Sequence, residues 1–599
     1  MTPDFLKLAE IDWTEAGQPV STTFGDVYFS REDGLAESRA VFLQGCGLPE
    51  AWRGRAHFTV AELGFGTGLN ILALLDLWTR QRPAHGRLHI WSVEAHPLWH
   101  DALQASHAAW PELAGISRTL LSRWPRLVAG THRIDLPEFE ATLDLAFGDV
   151  VPMLTAWSGR ADAWFLDGFA PAANPAMWSD DVMGLVAARS APGAHAATFT
   201  VAGQVRRGLS GGGFAVEKRA GYGRKRERLQ ATFPGAPAEP VRSERVAVIG
   251  GGIAGASLVR AFRRLGLKPT LIEADEPGAG ASGAPSALVT PWVDAGLSSA
   301  AILAAQAFRR ASALYRSEVP DGVIRTGVLR LSRNAADMRR LIQISGQPIW
   351  PSGSLSDLDA LEIAALIDED EAEAGLIVEE GLVIEPRRVL ETWLDGVERL
   401  AGRAIGIEPG APTSVTLEDG RTLAFDAVVI AAGWGSASLD VGPLKPVRGQ
   451  LIWGDGVDRR WGAVWGPGYA APTRTGVLVG ATHDRGRTDA EVDPEDTIRL
   501  LDRLTLSRPN LARALGGRAL SARAAIRAAT PDHRPLCGAL GEGIWTLTGL
   551  GGRGFSWAPL LAEHLAATIC VTPSPVSVDH NDLIAPRRFA AGLETGAPT

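Results

Sequence analysis

Residues 245–258 read RVAVIGGGIAGASL, an apolar strand that leads into a glycine-rich turn and then a helix. The glycines Gly250, Gly252 and Gly255 have the G-x-G-x-x-G spacing, and Glu273 closes a second short apolar run further along the chain. Such a turn places a pyrophosphate at the amino terminus of the helix, while an acid after the second strand accepts hydrogen bonds from an unphosphorylated ribose. The stretch therefore predicts a dinucleotide-binding unit, which here begins nearly 250 residues into the chain.

The size and charge of the chain are those of a globular protein with several domains. Its 599 residues are enough for about four structural units of roughly 150 residues each. The formal net charge of −9 argues against a protein that coats nucleic acid through a basic surface overall. A local basic face is still compatible with that charge.

Cysteine usage and hydropathy indicate a reduced, cytoplasmic protein. The three cysteines have no C-x-x-C spacing and no histidines at metal-ligand spacing, so we expect neither a disulfide framework nor a metal site. The amino terminus carries no apolar leader, and no run of 18 apolar residues occurs, so we expect no membrane span. We also expect a monomer.

A proline-rich stretch divides the chain into two blocks. Residues 231–245, ATFPGAPAEPVRSER, interrupt all apolar periodicity just before the opening strand, which is typical of an interdomain linker. We therefore predict one domain over residues 1–235, a linker over 236–244 and a second domain over 245–590.

The first block contains a second glycine-rich turn, in FTVAELGFGTGLN at 58–70. Acids follow at the ends of successive apolar runs, and the carboxyl ends of parallel strands face one crevice in an open α/β sheet. A tight strand–helix turn would explain the glycines alone but not the acids. The residues predicted to line this crevice are Glu62, Gly64, Gly66, Gly68, Glu94, Asp149 and Asp167.

The E-x-G-x-G-x-G spacing resembles motif I of the class I S-adenosylmethionine methyltransferases. The resemblance implies a Rossmann-like methyltransferase domain that binds S-adenosyl-L-methionine through Glu62, the three glycines, Glu94 and Asp149. Methyl transfer to an amine depends mainly on alignment, because the sulfonium is already a good leaving group. Asp167 is the candidate catalytic residue, since a carboxylate can orient the amine and receive its proton; the alternative is that it only caps its loop.

A basic segment at 206–228 stands out in this acidic chain. Aromatic residues Phe214 and Tyr222 lie within it, which suits contact with an RNA backbone together with base stacking, although a solvated surface is the alternative. Against the acids Glu217 and Glu227, its basic residues are Arg206, Arg207, Lys218, Arg219, Arg224, Lys225, Arg226 and Arg228.

In the second block, further glycine-rich loops strengthen the prediction from the opening stretch. They are GAGASG at 278–283, a strand ending in Ala432-Gly433, and a strand–turn–helix over 544–566. Together with RGQ at 448–450 and TPDHRPLCG at 530–538, this set resembles the D-amino-acid oxidase and glycine oxidase superfamily. The resemblance implies an α/β domain that binds FAD, with an inserted α+β substrate domain; a nicotinamide cofactor is the main alternative. The predicted cofactor residues are Gly250, Gly252, Gly255, Glu273, Ser282, Gly283, Gly433, Gly549, Gly551, Gly552 and Gly554.

Two arginines are candidates for holding a substrate carboxylate, because the guanidinium fork matches two oxygens. Arg553 lies in the glycine turn close to the predicted flavin site, and Arg534 lies in PDHRP. A main-chain clasp is the alternative role for Arg553, and a surface ion pair is the alternative for Arg534.

ELGFGTGLN, LDGFAPAANPAMW and the basic segment, joined to the flavin motifs, resemble the bacterial bifunctional MnmC family of tRNA-modifying enzymes. The resemblance covers nearly the whole chain. It implies oxidative removal of the carboxymethyl group from 5-carboxymethylaminomethyluridine at the tRNA wobble position, followed by methylation of the exposed amine. The chain departs from the family at Ala284–Ala287 and before Arg553, where the family usually has Asn and Gln-Gly in the first loop and a serine in the second.

Two other functions are compatible with the sequence. One is an amine or glycine oxidase fused to a small-molecule N-methyltransferase that does not act on tRNA. The other is an RNA-binding scaffold that keeps the nucleotide folds without turnover. The glycine and acid sets in both blocks argue against the scaffold.

Overall fold

A computed structural model of the chain describes residues 5–15, 17–30, 33–223, 225–237, 244–466 and 468–592. These residues form two compact units. The N-terminal unit contains the described residues up to 237 together with Val571–Val578, and the C-terminal unit contains residues 244–570 and those from Asp579 onward. Most of the predicted linker lies outside the described residues, so the boundaries at 235 and 245 stay a prediction.

The N-terminal unit is an α/β structure. Its strands are β1 (Ile11–Trp13), β2 (Pro19–Ser21), β3 (His57–Leu63), β4 (Arg87–Glu94), β5 (Gly130–Leu136), β6 (Ala141–Phe147), β7 (Ala161–Leu166), β8 (Ser190–Thr198), β9 (Ala215–Ala220) and β10 (Glu227–Thr232). Its helices are α1 (Gly34–Ser38), α2 (Leu69–Gln81), α3 (His100–His107), α4 (Ala114–Leu121), α5 (Val150–Ala156), α6 (Asp180–Ala188) and α7 (Gly203–Gly211).

The central sheet of this unit has eight strands in the order β5-β6-β4-β3-β7-β8-β10-β9. Strands β6, β4, β3, β7 and β8 are parallel, and β5, β10 and β9 are antiparallel additions at the edges. Strands β3, β4, β6 and β7 are almost continuously buried, as expected where helices cover both faces of a parallel sheet. Strand order reverses beside β3, so the carboxyl ends of β3, β4 and β7 meet at the switch point where open α/β sheets bind ligands.

A short segment from late in the sequence completes the N-terminal unit. We call Val571–Val578 the strap; within it Pro573, Ser574 and Val576 are buried. The Arg133 guanidinium on β5 donates to the Pro573 carbonyl oxygen at 2.9 Å and to the Asp144 carboxylate at 2.7 and 2.8 Å. The strap therefore covers a buried ion pair in a unit whose other residues lie more than 300 positions earlier.

The C-terminal unit has many more strands. They are β11 (Val246–Ile249), β12 (Thr270–Glu273), β13 (Ala287–Val289), β14 (Val323–Leu331), β15 (Leu355–Leu358), β16 (Gly375–Ile384), β17 (Glu398–Ala401), β18 (Ala404–Glu408), β19 (Thr413–Leu417), β20 (Thr422–Phe425), β21 (Ala427–Ile430), β22 (Lys445–Asp455), β23 (Gly462–Trp465), β24 (Gly468–Pro472), β25 (Gly476–Gly480), β26 (Asp484–Arg485), β27 (Leu520–Ala529), β28 (Leu536–Gly541) and β29 (Ile544–Thr548). Its helices are α8 (Ile253–Arg264), α9 (Ser299–Glu318), α10 (Ala335–Ser345), α11 (Ala360–Ile367), α12 (Pro386–Leu394), α13 (Pro494–Ser507), α14 (Pro509–Leu515), α15 (Gly554–Ile569) and α16 (Val578–Ile584).

These strands form a nucleotide sheet, an inserted sheet and a small antiparallel sheet. The nucleotide sheet has the order β17-β12-β11-β21-β29-β28, and all its pairs are parallel except β28 with β29. The inserted ten-stranded sheet is formed by β13–β16 and β22–β27, and β18–β20 form the third sheet. The predicted α/β nucleotide domain with an inserted substrate domain is confirmed.

A buried ionic cluster joins the helices of the nucleotide half. Glu563 on α15 accepts from Arg260 on α8 at 2.6 Å and from Arg310 on α9 at 2.6 and 2.9 Å. All three side chains are almost completely buried. Paired and hydrogen-bonded charges are the form in which ions are tolerated inside proteins, so the cluster fixes the register of three helices around the nucleotide sheet.

Among the described helices, none is both long and apolar enough to cross a membrane.

Candidate functional site

The glycine turn of the N-terminal unit connects β3 to α2. Gly64, Gly66 and Gly68 all have left-handed backbone conformations, with φ of 79°, 53° and 75°. A Cβ atom at position 64 would lie 3.1 Å from the Cα atom of Gly168, and one at position 68 would lie 2.5 Å from the Phe65 ring. Glycine is therefore required at these two positions by conformation as well as by space.

The acid at the end of β4 is tied to this turn. The Glu94 carboxylate accepts from the Gly66 N–H and from the His96 N–H, each at 2.8 Å. Asp149 is exposed at the start of α5, after β6. Both predicted cofactor acids thus lie at carboxyl ends of parallel strands, on the same edge of the sheet as the turn.

Glu62 and Asp167 end neighbouring strands and are bridged by one amide. Asn70 Nδ2 donates to Glu62 Oε1 at 3.1 Å and to Asp167 Oδ2 at 2.7 Å. Ser92 Oγ donates to the other oxygen of Glu62 at 2.6 Å, and Ser38 Oγ donates to Asn70 Oδ1 at 2.7 Å. Glu62 is fully buried with both oxygens bonded, so it supports the turn from below, and its direct contact with the cofactor stays a prediction.

The Asp167 carboxylate has the electrostatics of a proton acceptor near neutral pH. Burial raises its pKa to about 6, and the charge of Glu37 acts in the same direction. Hydrogen bonds from the Gly168 N–H at 2.8 Å and from Asn70, with the charge of Lys225, oppose that rise. A carboxyl group with this pKa is ionised at pH 7 yet basic enough to take a proton from an amine as it is alkylated.

Aromatic side chains form one wall beside Asp167. Phe169 stacks on Phe24 with ring centroids 4.7 Å apart and meets Tyr28 edge-on at 5.2 Å. Asp26 Oδ2 accepts from the Ala170 N–H at 3.1 Å, which holds the segment after β2 against the loop after β7. Neither Phe24 nor Tyr28 was predicted, because their contacts join segments about 140 residues apart.

The basic segment forms α7 and the β9–β10 hairpin. Lys225, in the hairpin turn, pairs with Glu37 at 3.0 Å and lies 4.1 Å above the Phe199 ring, so this turn reaches the surroundings of Asp167. Arg206 and Arg207 are exposed on α7, and Arg224 lies outside the described residues. The stacking role suggested for Phe214 is wrong, because Phe214 is 4% exposed and packs against Phe233 in the core.

The glycine turn of the C-terminal unit fits a pyrophosphate. Gly250 has φ of 105°, and a Cβ atom there would lie 2.7 Å from the Ala431 carbonyl oxygen. A Cβ atom at Gly255 would overlap the Gly250 carbonyl oxygen, so α8 can approach the turn only with glycine at this position. The Glu273 carboxylate accepts from the Gly251 N–H and from the Asp275 N–H, in the way that Glu94 holds the other turn.

The remaining predicted cofactor loops surround this turn. Ser282 Oγ accepts from the Ile253 N–H at 3.0 Å, and a Cβ atom at Gly283 would overlap the Gly278 carbonyl oxygen. Gly433, Gly549 and Gly551 have φ of 57°, 69° and 57°, Gly552 has open space around its Cα atom, and Gly554 begins α15. These conformations suit close approach of backbone to a flat cofactor, although contact by each residue stays a prediction.

The two predicted clamp arginines differ in their surroundings. Arg534 pairs with Asp532 at 2.8 Å inside its own turn, which is the ion pair that the sequence left open as its alternative role. Arg553 is exposed, yet desolvation and the charge of Arg330 lower the pKa of its guanidinium. The residue after it, Gly554, lies against Ile253 at the start of α8, so the exposed Arg553 side chain is available beside the glycine turn.

Sequence reasoning missed a second arginine, which lies in the inserted sheet. Arg527 lies on β27, and its guanidinium lies over the Cα atom of Gly449. A Cβ atom added to Gly449 would be 2.7 Å from the Cζ atom of Arg527. Tyr469 lies over Gly480 in the same way, and the charge of Arg527 acts on its hydroxyl. The signal for these residues was the pair of strand glycines, which make room for the two side chains.

No cluster of three metal-ligating side chains occurs in the part of the chain that the structure describes.

Comparisons with known proteins agree with this architecture. Residues 111–234 match a family described as S-adenosyl-L-methionine-dependent methyltransferase, and residues 245–568 match one described as FAD dependent oxidoreductase. The crystal structure of iminodiacetate oxidase from Chelativorans sp. BNC1 superposes with a TM-score of 0.50 at 22% identity, covering 57% of this chain and 99% of that one. The predicted cofactors, S-adenosyl-L-methionine and FAD, are confirmed, and the nicotinamide alternative is not supported.

Two relatives match along their whole length. A protein of Caulobacter sp. (strain K31), named tRNA 5-methylaminomethyl-2-thiouridine biosynthesis bifunctional protein MnmC, is 51% identical over 598 residues, which is 98% of each chain. A protein of the same name from Caulobacter vibrioides (strain ATCC 19089 / CIP 103742 / CB 15) is 49% identical over 580 residues, covering 96% of this chain and 97% of that protein.

Proposed function

Because this chain belongs to the family of tRNA 5-methylaminomethyl-2-thiouridine biosynthesis bifunctional proteins, we propose that it carries out two consecutive reactions on the wobble uridine of tRNA. The C-terminal unit removes the carboxymethyl group from 5-carboxymethylaminomethyluridine, and the N-terminal unit methylates the amine that this exposes. The observation that carries the proposal is that one chain contains two glycine turns between a parallel strand and a helix, one beside Asp167 and the other beside the exposed Arg553.

In the first reaction, the C–H bond of the carboxymethyl carbon next to the substrate nitrogen is oxidised, and FAD, when bound, would supply the hydride acceptor. The Gly250–Gly255 turn and the amino terminus of α8 would hold the pyrophosphate of that cofactor. Arg553 would hold the carboxylate of the substrate arm, since its side chain is exposed beside the start of α8. Water then hydrolyses the resulting substrate imine, which releases glyoxylate and leaves a primary amine on the base.

In the second reaction, the nitrogen lone pair of that amine attacks the methyl carbon of S-adenosyl-L-methionine. The carbon–sulfur bond breaks, its electron pair stays on sulfur as a thioether, and the N–H proton passes to the Asp167 carboxylate. The reaction needs alignment above all, so the aromatic wall of Phe24 and Phe169 and the fixed Asp167 supply most of what the protein contributes. Joining both sites in one chain raises the effective concentration of the intermediate tRNA at the second site.

The experiment that tests this function uses tRNA from a strain that lacks the enzyme. The purified protein is incubated with this tRNA, with and without S-adenosyl-L-methionine, and the nucleosides are analysed by mass spectrometry. We expect the aminomethyl nucleoside without the methyl donor and the methylaminomethyl nucleoside with it. Unchanged nucleosides, together with oxidation of free glycine-like amines, would favour the amine oxidase and small-molecule methyltransferase instead.

We also propose that α7 and the β9–β10 hairpin contact the tRNA backbone in the cytoplasm, with the enzyme acting as a monomer. Lys225 supports this, because it brings the basic hairpin turn close to Asp167. Arg206 and Arg207 add positive charge that is exposed on the adjoining helix.

Charge reversal on α7 tests this contact. We expect the double variant Arg206→Glu/Arg207→Glu to weaken tRNA binding and to reduce the slope of log affinity against log salt by about 2, since each arginine–phosphate contact contributes roughly one. The matched control is Arg387→Glu/Arg388→Glu, which reverses two exposed neighbouring arginines on α12. Fluorescence anisotropy at several salt concentrations measures both, and equal slopes for the two variants would contradict the proposed contact.

A further inference from the structure

The polar chain under the N-terminal glycine turn has a feature that the mechanism does not yet use. Asn70 is the second residue of α2 and is 7% exposed. Its amide nitrogen donates hydrogen bonds to two carboxylates, those of Glu62 and Asp167. Its oxygen accepts from Ser38, whose hydroxyl must donate because an amide oxygen has no hydrogen. If the amide were rotated by 180°, its oxygen, an acceptor, would face two carboxylates, which are also acceptors. The hydrogen-bond partners therefore determine the orientation of the Asn70 amide.

The two carboxylates that share the amide are unequal in their access to solvent. Glu62 is fully buried, whereas Asp167 is half-buried and opens toward the crevice. Two carboxylates this close cannot both ionise cheaply in a desolvated site, and the more buried one keeps its proton. Burial and the charge of Asp167 accordingly raise the pKa of Glu62 well above its ordinary value.

Each oxygen of Asp167 has one fixed donor. Oδ1 accepts from the Gly168 N–H at 2.8 Å, and Oδ2 accepts from Asn70 at 2.7 Å. The Gly168 bond comes from the next residue and moves with the loop after β7. Asn70 belongs to α2, the helix that follows the glycine turn. Its bond therefore links the position of the Asp167 carboxylate to the turn that positions the methyl donor.

We propose that Asn70 is a positioning residue for methyl transfer, which acts through Asp167. Its amide holds the Asp167 carboxylate in register with the glycine turn. The inference rests on the proposed methylation and adds one residue, Asn70, to its mechanism. The charged groups that act on Asp167 are Glu37 from α1 and Lys225 from the hairpin turn, and the titratable Glu62 faces it across the shared amide.

The test compares Asn70→Ala with Ser92→Ala. Ser92 touches Glu62 on its other oxygen but makes no contact with Asp167, so its replacement disturbs the same buried acid without touching the carboxylate that receives the proton. We expect Asn70→Ala to lower the single-turnover methylation rate at pH 7 by about 100-fold, as small misplacements of catalytic groups do. The affinity for S-adenosyl-L-methionine should change less than about 3-fold, because Asn70 acts through Asp167.

A pH profile separates this role from a merely structural one. Asn70 favours the ionised form of Asp167, so its loss should move the acidic limb of the methylation rate to higher pH, whereas Ser92→Ala should leave that limb in place. An unshifted limb in Asn70→Ala, or an equal shift in Ser92→Ala, would overturn the inference. If Asn70→Ala does not fold, Ser38→Ala removes only the bond that orients the amide and should shift the limb in the same direction by less.

A second readout does not need tRNA. The carboxyl stretching band of Asp167, identified by infrared difference against Asp167→Asn, reports its titration in the protein alone. If the wild-type protein fails to methylate tRNA, the proposed function is wrong. The titration of Asp167 would still decide the role of Asn70 in that case. Identical titration of Asp167 in wild type and Asn70→Ala would reject that role.

Discussion

Single side chains in this protein take their roles from the elements that surround them rather than from their motif. Glu62 and Glu94 are both acids near the ends of neighbouring strands, yet Glu62 is fully buried beneath the turn, whereas Glu94 accepts a hydrogen bond from the Gly66 N–H of the turn. The two candidate clamp arginines differ in the same way, because Arg534 is paired with Asp532. Residue type and spacing predict where a site lies, but the packing of distant segments decides which group faces the ligand.

Asp167 should give methylation a defined acidic limb. A proton acceptor must be ionised, and burial raises its pKa to about 6, so the rate should fall as the pH drops through that value. Asp167→Asn should lower the single-turnover rate by about 10²- to 10⁴-fold and remove the limb, with oxidation unchanged. Asp181→Asn, an exposed acid on α6, is the control. Retention of the limb in Asp167→Asn would assign proton transfer to another group.

Arg553 and Arg534 should respond differently to truncation. Arg553→Ala should lower kcat/KM for oxidation on the order of 100-fold, mainly through KM, because the substrate carboxylate loses its bidentate partner. Arg534→Ala should leave kcat/KM within a few-fold and lower the denaturant midpoint, because Asp532 keeps only Arg588 as a cation. Steady-state oxidation of the tRNA substrate with urea unfolding measures both, and similar kinetic losses would assign Arg534 to the substrate site.

At the scale of elements, both glycine turns and the strands before them lie where the sequence predicts them. Their local requirement is strong, since a buried strand leads directly into three glycines with positive φ in the first turn and into one, Gly250, in the second. Contacts between elements far apart in sequence could not be read in this way. Asn70 meets Asp167 across 97 positions, and the Arg527 guanidinium crosses onto a different strand, so no local pattern marks either. Phe214 was misjudged because its apolar neighbours, including Phe233, come from another strand end.

Gly255 offers a direct test of how closely α8 must approach its turn. Gly255→Ala would place a Cβ atom onto the Gly250 carbonyl oxygen, so the turn must open and the protein should purify with little or no flavin. Gly541→Ala, where a Cβ atom meets nothing within 4 Å, is the control and should keep its flavin. Absorbance near the flavin bands relative to protein measures occupancy, and full occupancy in Gly255→Ala would contradict this requirement.

On the scale of the whole molecule, the two units are not consecutive in sequence. The strap returns Val571–Val578 to the N-terminal unit after the C-terminal unit has been almost completed. Val576 is 1% exposed, and Pro573 accepts from an arginine that is itself paired with a fully buried aspartate. A single cut at the linker would therefore yield an N-terminal fragment without part of its own interior.

Paired valines in the strap test this. Val576→Asp should lower the unfolding temperature of the N-terminal unit by about 10 °C, because a buried unpaired carboxylate costs several kcal/mol. Val571→Asp changes a valine that is 64% exposed in the same strap and should have little effect. Calorimetry with and without S-adenosyl-L-methionine identifies the affected transition, and flavin fluorescence follows the other unit. Equal shifts for the two variants would show that burial of the strap does not stabilise the N-terminal unit.

The strap also sets the order in which this protein can be finished on the ribosome. Chains are synthesised from the amino terminus, and domains that emerge first generally fold first. Here the unit that emerges first stays uncovered along β5 until residues 571–578 have left the exit tunnel, by which time the whole flavin-binding unit has been translated. A chain that ends before residue 571 therefore lacks part of its methyltransferase unit. Every complete methyltransferase unit is attached to the flavin-binding unit that prepares its substrate.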